Sequence, residues 1–304
     1  MIIGYIKGGL ANQMFQYAFY KTVAEINNYN LIIDLNFWNN DPNKLIQWNV
    51  DPKKTRVSTF RLSVFNVDLN IKSKYDAIDL YKKKYPFYNT FLLRKIYNQI
   101  EKIKPYHKKI FILQNSKFYD EKLLKIKSNS HVTGFFQHHQ YLDLNRNAIL
   151  KCFQLKKEFH VIDFLNLKNE FLKCNSVALH VRRGDYVKLG HSCSEKYYNS
   201  AIQYVISKLK NVEFFIFSDD IDWCKKKLTF KSNPKYIDDK YNLEDYHELV
   251  LMKYCKHNII SNSSFSWWGA WLNENPNKIV IYPDKIKKTL NKDLCVEGWI
   301  ELKN

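Results

Sequence analysis

The apolar positions of this chain change period several times, and each change marks an element. Residues 2–6 form a short continuous apolar run, which predicts a buried strand. Further on the period becomes helical. Phe15, Ala18, Phe19, Thr22, Val23 and Ile26 fall at i, i+3, i+4, i+7, i+8 and i+11. Between the two lies Lys7-Gly8-Gly9-Leu10-Ala11-Asn12-Gln13, so the chain opens as strand, glycine loop, helix. Glycines let a ligand approach the backbone, and a helix N-terminus favours an anion. The spacing is not G-x-G-x-x-G, so it does not argue for a dinucleotide. Residues 31–35 and 131–136 predict two further strands. Residues 36–130 mix aromatics with lysines, as in Tyr81-Lys82-Lys83-Lys84-Tyr85-Pro86-Phe87-Tyr88, and predict short helices and loops.

The second half alternates more plainly. Strands are predicted at 176–181, 212–217, 234–237, 258–260 and 278–282. Between them, a helix after Ser194 carries Tyr198, Ala201, Ile202, Val205, Ile206 and Leu209 on one face. A second runs from Glu244, with acids at its N-terminus where the dipole favours them. A third covers Phe265 to Leu272. Strand–helix alternation predicts a parallel sheet with helices on both faces. The expected fold is α/β, with two Rossmann-like halves, 1–155 and 156–304, facing across a cleft. No Gly/Ser- or Pro-rich linker separates them.

Charge adds a question about partners. The 304 residues carry 48 Lys plus Arg against 30 Asp plus Glu, for a net charge of +18. Nucleic acid, an anionic membrane and an anionic small substrate all fit that excess. Nearly all of it is lysine spread along the chain, without an Arg-rich tail, zinc finger or RNA-binding signature. Lysine-rich solvated faces are one reading of that charge, and attraction to acidic phospholipid is the other main one. A nucleic-acid partner is not expected. The six cysteines form no C-x-x-C pair and read as reduced thiols of a cytoplasmic protein. No apolar run reaches the ~18 residues of a membrane span. The expected location is cytoplasmic, with peripheral contact at the inner face of the membrane.

The chemistry centres on His180-Val181-Arg182-Arg183-Gly184-Asp185-Tyr186. A buried strand that ends in two arginines must release them at its carboxyl end, where open α/β sheets bind ligands. Only six arginines occur in the chain, and two are here. Their planar forks suit phosphate or carboxylate. The competing reading is a solvated loop whose charges pair with Asp185. Asn262-Ser263-Ser264-Phe265-Ser266 is a hydroxyl-rich helix start that can cap the helix or hold a phosphate. Asp219-Asp220-Ile221-Asp222 contains D-x-D, a short motif that can hold a divalent metal across a diphosphate. Neighbouring arginines make such a metal less necessary. His191 and Glu195 can each take a proton from an attacking hydroxyl. Cys193 has no base beside it in sequence and is not read as a nucleophile.

Five motifs together resemble the α-1,2-fucosyltransferases of glycosyltransferase family 11. They are Gly8 to Ala18, Gly134-Phe135-Phe136-Gln137, His180 to Tyr186, Phe217-Ser218-Asp219-Asp220, and Asn262 to Trp271. The resemblance runs in order from residue 4 to about 283, and residues 36–130 add nothing to it. It implies a GT-B-like fold and inverting transfer of L-fucose from GDP-β-L-fucose to the 2-hydroxyl of a terminal galactose. The acceptor would be an oligosaccharide or glycolipid, as in O-antigen or lipopolysaccharide synthesis, and no metal or other cofactor would be needed. Arg182 would contact the diphosphate, with His180 and Asp185 shaping its loop. Asn12, with Gly9 and Gln13, would lie near the donor. Asn262, Ser263, Ser264 and Phe265 would hold the phosphates, and Ser218 and Asp219 would sit near the guanosine. His191 is the candidate base. The alternatives are a metal-dependent transferase of another nucleotide sugar and a basic module that binds nucleic acid or membrane.

Overall fold

The computed structural model describes residues 1–39, 59–71, 84–85, 87, 90–114, 118–284 and 294–304. Most of the Tyr81–Tyr88 run lies outside them. The chain divides into two compact units, Met1–Gln154 and Leu155–Asn304.

The N-terminal unit holds a parallel sheet of β1 (Ile2–Tyr5), β2 (Leu31–Asp34), β3 (Phe111–Leu113) and β4 (Ser130–Thr133), in the order β2-β1-β4-β3. Helix α1 (Leu10–Ile26) lies against it, buried on nearly every side. The hydroxyl of Tyr20 sits 2.8 Å from the carbonyl oxygen of Tyr5 and 3.0 Å from that of Val132, which fixes the helix over the sheet. Ile26, the last residue of the predicted stripe, is exposed. Among the described residues of 36–130 the structure adds two elements to the expected short helices and loops. One is the edge strand β3. The other is the three-turn helix α2 (Phe91–Ile103), preceded by Phe87 and Thr90.

The C-terminal unit holds six parallel strands: β5 (Asn175–Val181), β6 (Val212–Ser218), β7 (Lys235–Ile237), β8 (His257–Ile259), β9 (Val280–Pro283) and β10 (Ile300–Leu302). Their order is β7-β6-β5-β8-β9-β10. The chain starts at the middle strand, builds outward to β7, returns to the other side of β5 and builds outward again. The order therefore reverses between β5 and β8, and the carboxyl ends of those strands border the crevice where such sheets bind ligands. Helices α3 (Ile162–Lys173), α4 (Gly184–Lys188), α5 (Glu195–Lys208), α6 (Ile221–Lys227), α7 (Asp245–Tyr254) and α8 (Ser264–Leu272) connect the strands. Tyr198, Ala201, Ile202 and Val205 of α5 are buried against β5, β6 and β8, as their spacing predicts. Trp267, Trp268 and Trp271 of α8 are fully enclosed. α7 begins with a reciprocal cap, in which the Nδ1 of His247 accepts from the backbone N–H of Glu244 at 3.0 Å.

Candidate functional site

Three strand ends meet at the reversal of the C-terminal sheet. β5 delivers Arg182 and Arg183, β6 delivers Asp219 and Asp220, and β8 delivers Ser261 to Ser263 ahead of α8. Arg182 contacts Asp185 at 2.8 Å and Asp219 at 2.9 Å, and these side chains are partly exposed. Arg183 turns the other way. Its backbone N–H donates to Asp219 and its Nε to Asp220, at 2.8 and 2.9 Å. Its guanidinium lies 4.3 Å over the ring of Trp223, and it is the more buried of the pair. Adjacent residues of an extended segment point to opposite sides, so one arginine faces the crevice rim and its neighbour packs into the unit. The expected pairing with Asp185 is present, but Asp219 shares Arg182 with it.

A second set of contacts ties the arginine loop to the start of α8. His180, buried at the end of β5, places Nδ1 3.0 Å from the hydroxyl of Ser261. Ser261 is in turn 3.3 Å from the hydroxyl of Ser266. Asn262 donates through Nδ2 to the carbonyl of His191 at 2.5 Å. The hydroxyl of Tyr186 is hydrogen-bonded to Ser263, and burial pushes it above the ordinary tyrosine range. Ser263 also caps α8 by accepting from the N–H of Phe265 at 3.3 Å. The ring of Phe265 lies 5.6 Å from that of His180. Asn262 is buried, and its Oδ1 has no hydrogen-bond partner among the described residues.

The first carboxylate of the D-x-D run is occupied, while Asp222 is exposed. Asp220 Oδ2 accepts from Arg183, while Oδ1 caps α6 by accepting from Trp223 N–H at 3.1 Å. The hydroxyl of Ser218 accepts from the N–H of Asp220 at 3.0 Å and so shapes the same turn. Among the described residues no group of three or more His, Cys, Asp or Glu side chains is arranged to hold a metal. Glu195 pairs with Lys227 at 3.3 Å. His191 keeps its place in the loop through its backbone, whose N–H donates to the Tyr186 carbonyl at 2.8 Å. Cys193 is buried in the core beneath α5.

In the N-terminal unit the glycine loop is bound to its own helix. Gly8 has φ +81°, a conformation that favours glycine. The Oδ1 of Asn12 accepts from Gln137 at 2.8 Å, which joins the first two motifs. Gln13 is buried with both amide hydrogens engaged, on the carbonyls of Gly8 and Thr59 at 2.8 and 2.7 Å. Its Oε1 accepts from Arg61 N–H at 3.0 Å. It holds the loop and offers no free donor to a ligand, in contrast to the role the sequence suggests. Gly9 leaves open space where a Cβ would stand.

The profile of Glycosyl transferase family 11 matches residues 1–303. The chain belongs to that family. An alpha-1,2-colitosyltransferase of Escherichia coli is 31% identical over 317 residues, covering 99% of each chain. The O-antigen biosynthesis glycosyltransferase WbnK, also of E. coli, is 30% identical over 331 residues, covering 98% of this chain and 99% of its own. The mouse galactoside 2-alpha-L-fucosyltransferase Sec1 is 27% identical over 103 residues, 32% of this chain and 28% of that protein. Among solved structures, the fucosyltransferase NodZ from Bradyrhizobium matches 88% of this chain and 91% of its own at 11% identity, with a TM-score of 0.48.

Sequence reasoning missed Trp223, which carries Arg183 in this glycosyltransferase's arginine site, and gave no role of their own to Ser261, which orients His180, or to Tyr186, which joins α4 to α8. The place of Ser261 directly after a predicted strand is the signal for its role. Trp223 could have been found by its place three residues after a capping aspartate.

Proposed function

We propose that this family 11 glycosyltransferase moves L-fucose from GDP-β-L-fucose to the 2-hydroxyl of a terminal galactose, with inversion, in bacterial O-antigen or related surface-polysaccharide synthesis. The C-terminal unit is assigned to the donor. The N-terminal unit is assigned to the acceptor side, with Asn12 as a sugar contact. A GT-B arrangement of the two units and peripheral contact with an anionic membrane belong to the same reading. The observation that carries it is Arg182, set at the rim of the strand-order reversal beside the N-terminus of α8.

The chemistry follows from those positions. The leaving group is GDP, whose diphosphate gains charge as the fucose C1–O bond breaks. Arg182 is held by ion pairs with Asp185 and Asp219, which are partly exposed, and lies 5.5 Å over the ring of Tyr186; such exposed pairs cost little to exchange. Its fork can transfer to two phosphate oxygens. The N-terminus of α8 favours the same anion. Donors fixed in advance around a developing charge are worth several kcal/mol. His180, oriented by Ser261, keeps the strand end in place. The orphan Oδ1 of Asn262 is an acceptor, so it suits a hydroxyl or N–H of the donor rather than a phosphate oxygen. C1 gains oxocarbenium character, the galactose 2-oxygen attacks from the opposite face, and its proton passes to His191 or to solvent. No metal is assigned, because arginine and helix take over the neutralisation.

A second donor is favoured by one observation, the full-length similarity to an α-1,2-colitosyltransferase. Colitose lacks one ring hydroxyl of fucose. A site that hydrogen-bonds that hydroxyl would reject colitose by about 10⁴-fold, whereas an apolar site separates the two by about 10²-fold or less. The test is initial rates with GDP-fucose and GDP-colitose on a β-galactoside, with the product linkage read by NMR. Faster transfer of fucose and an α-1,2 product are expected. Preference for colitose with the same linkage would overturn the donor alone. An absence of transfer from both would overturn the reading.

A further inference from the structure

Helix α2 carries three stripes. Leu93, Tyr97 and Ile100 are half-buried, and Tyr97 packs on the cluster of Tyr85, Ile110 and Phe111. This side is anchored by the buried carboxylate of Glu101. It accepts from the Ile110 N–H at 3.0 Å, from Lys104 at 2.7 Å and from the Tyr85 hydroxyl. The next stripe is Leu92, Ile96 and Ile103, which share one face by their i, i+4, i+11 spacing. These aliphatic side chains face water: Leu92 is 65% exposed and Ile103 84%. Phe87, just before the helix, is 79% exposed. The third stripe holds Lys95 and Lys102, both exposed.

We infer that this exposed face of α2, with Phe87, is the surface by which the protein docks on an anionic lipid bilayer. An amphipathic helix with an apolar face and lysines beside it lies in the interfacial plane, with apolar side chains among the acyl chains and cations at the headgroups. Lys104 is bonded to Glu101, which leaves Lys95 and Lys102 as the headgroup contacts among the described side chains of α2. Lys95 lies 4.4 Å over the ring of Phe91, so its stem already follows the apolar surface. A second copy of the chain fits less well. Pairing two such faces about a two-fold axis would bring like lysines together, on molecules that each carry +18. The inference deepens the membrane part of the proposed function and does not depend on the sugar donor.

The test is sedimentation of the full chain with vesicles of phosphatidylcholine, alone or with about one-third phosphatidylglycerol. Binding to the anionic vesicles is expected, and it should fall at about 0.5 M salt. Ile103→Glu, at the exposed end of the helix, should weaken binding on the order of 10-fold. Lys95→Ala and Lys102→Ala should each weaken it about five-fold. Circular dichroism and transfer to a soluble galactoside should stay unchanged in these variants. Wild-type protein that stays in the supernatant would overturn both this inference and the membrane part of the proposed function. Wild-type binding that Ile103→Glu leaves intact would overturn the surface assignment alone. A dimer that Ile103→Glu dissociates, with no vesicle binding, would assign the face to self-association instead.

Discussion

Arg182 and Asp219 meet at 2.9 Å across the ends of two neighbouring strands, and they do so beside Gly184. A Cβ on Gly184 would stand 2.8 Å from Asp219 Oδ2, the oxygen that holds Arg182. Gly184→Ala should therefore move that carboxylate and leave Arg182 turned toward Asp185. The clash is with the tip of a side chain, so folding should be nearly unchanged. The expected result is a raised KM for the nucleotide-sugar donor with a melting temperature within about 2 °C of wild type. An unchanged KM would mean that Asp219 does not set the pose of Arg182.

Arg182→Lys retains the charge and loses the fork. With GDP-fucose, kcat/KM should drop on the order of 10²-fold, the scale for one preorganised donor. Arg183→Lys should behave differently, because that guanidinium packs on Trp223 and holds Asp220. Losing the ring contact and the ion pair should cost about 1–2 kcal/mol and lower the melting temperature by about 2–6 °C, with the smaller kinetic effect. Equal kinetic losses in both variants, or full activity in Arg182→Lys, would contradict this division of labour.

Transfer should survive EDTA nearly unchanged, and Asp222→Asn should retain activity. Asp220→Asn should cost stability, since it weakens the pair with Arg183. Activity abolished by chelator and restored by Mn²⁺ would place a metal at the centre of the reaction and remove the arginine account.

Two buried histidines make the C-terminal unit sensitive to acid. His247 donates to the carbonyl of Phe159 at 2.6 Å and accepts from the N–H of Glu244. His257 accepts from the N–H of Ile279 at 3.0 Å and faces the Oδ1 of Asn175 at 3.2 Å. Each ring must be neutral to accept a hydrogen bond. Burial holds both below the ordinary histidine value of 6.5, and Lys256 adds to this for His257. Near His247, Glu244 and Asp245 pull the other way and His160 reinforces the shift. In the unfolded chain both rings take up protons near 6.5, and in the folded unit only at lower pH. The unfolded state then binds more protons, so stability is full above about pH 6.5 and declines as pH falls below it. Thermal melts from about pH 7.5 to 5.5 should show that decline, and it should be shallower in His247→Gln/His257→Gln. An equal slope in wild type and double variant would exclude these two rings as its source.

The sequence made the middle of the C-terminal sheet legible because those strands are long, apolar and flanked by helices with clean periodicity. The Tyr198–Val205 stripe and the α8 tryptophans lie where their spacing puts them. β3 and β10 were not legible. Each is a three-residue strand at a sheet edge, too short to show a period, and is held by its neighbour's backbone rather than by its own pattern. Gln13 shows a different limit. A glycine loop before a helix suggests a ligand for every polar side chain in it, but the backbone groups of Thr59 and Arg61 take this amide. Those partners lie 46 and 48 residues away. The D-x-D run was ambiguous because three letters do not say what faces them. The arginines of the neighbouring strand end do.

The reversal of strand order in the C-terminal unit also governs when the site can exist. His180 and Ser261 are 81 residues apart in the chain. At about 5–20 residues per second, a nascent chain presents the arginine loop roughly 4–16 s before the residues that hold it in place have been made. Throughout that interval β5 can pair with β6, but its other edge is bare. A ribosome that pauses between residues 220 and 260 would prolong the exposure of that edge. The arginine site is thus among the last parts of the protein to form: its carboxylate partners Asp185, Asp219 and Asp220 are made first, and the serine that orients His180 comes last.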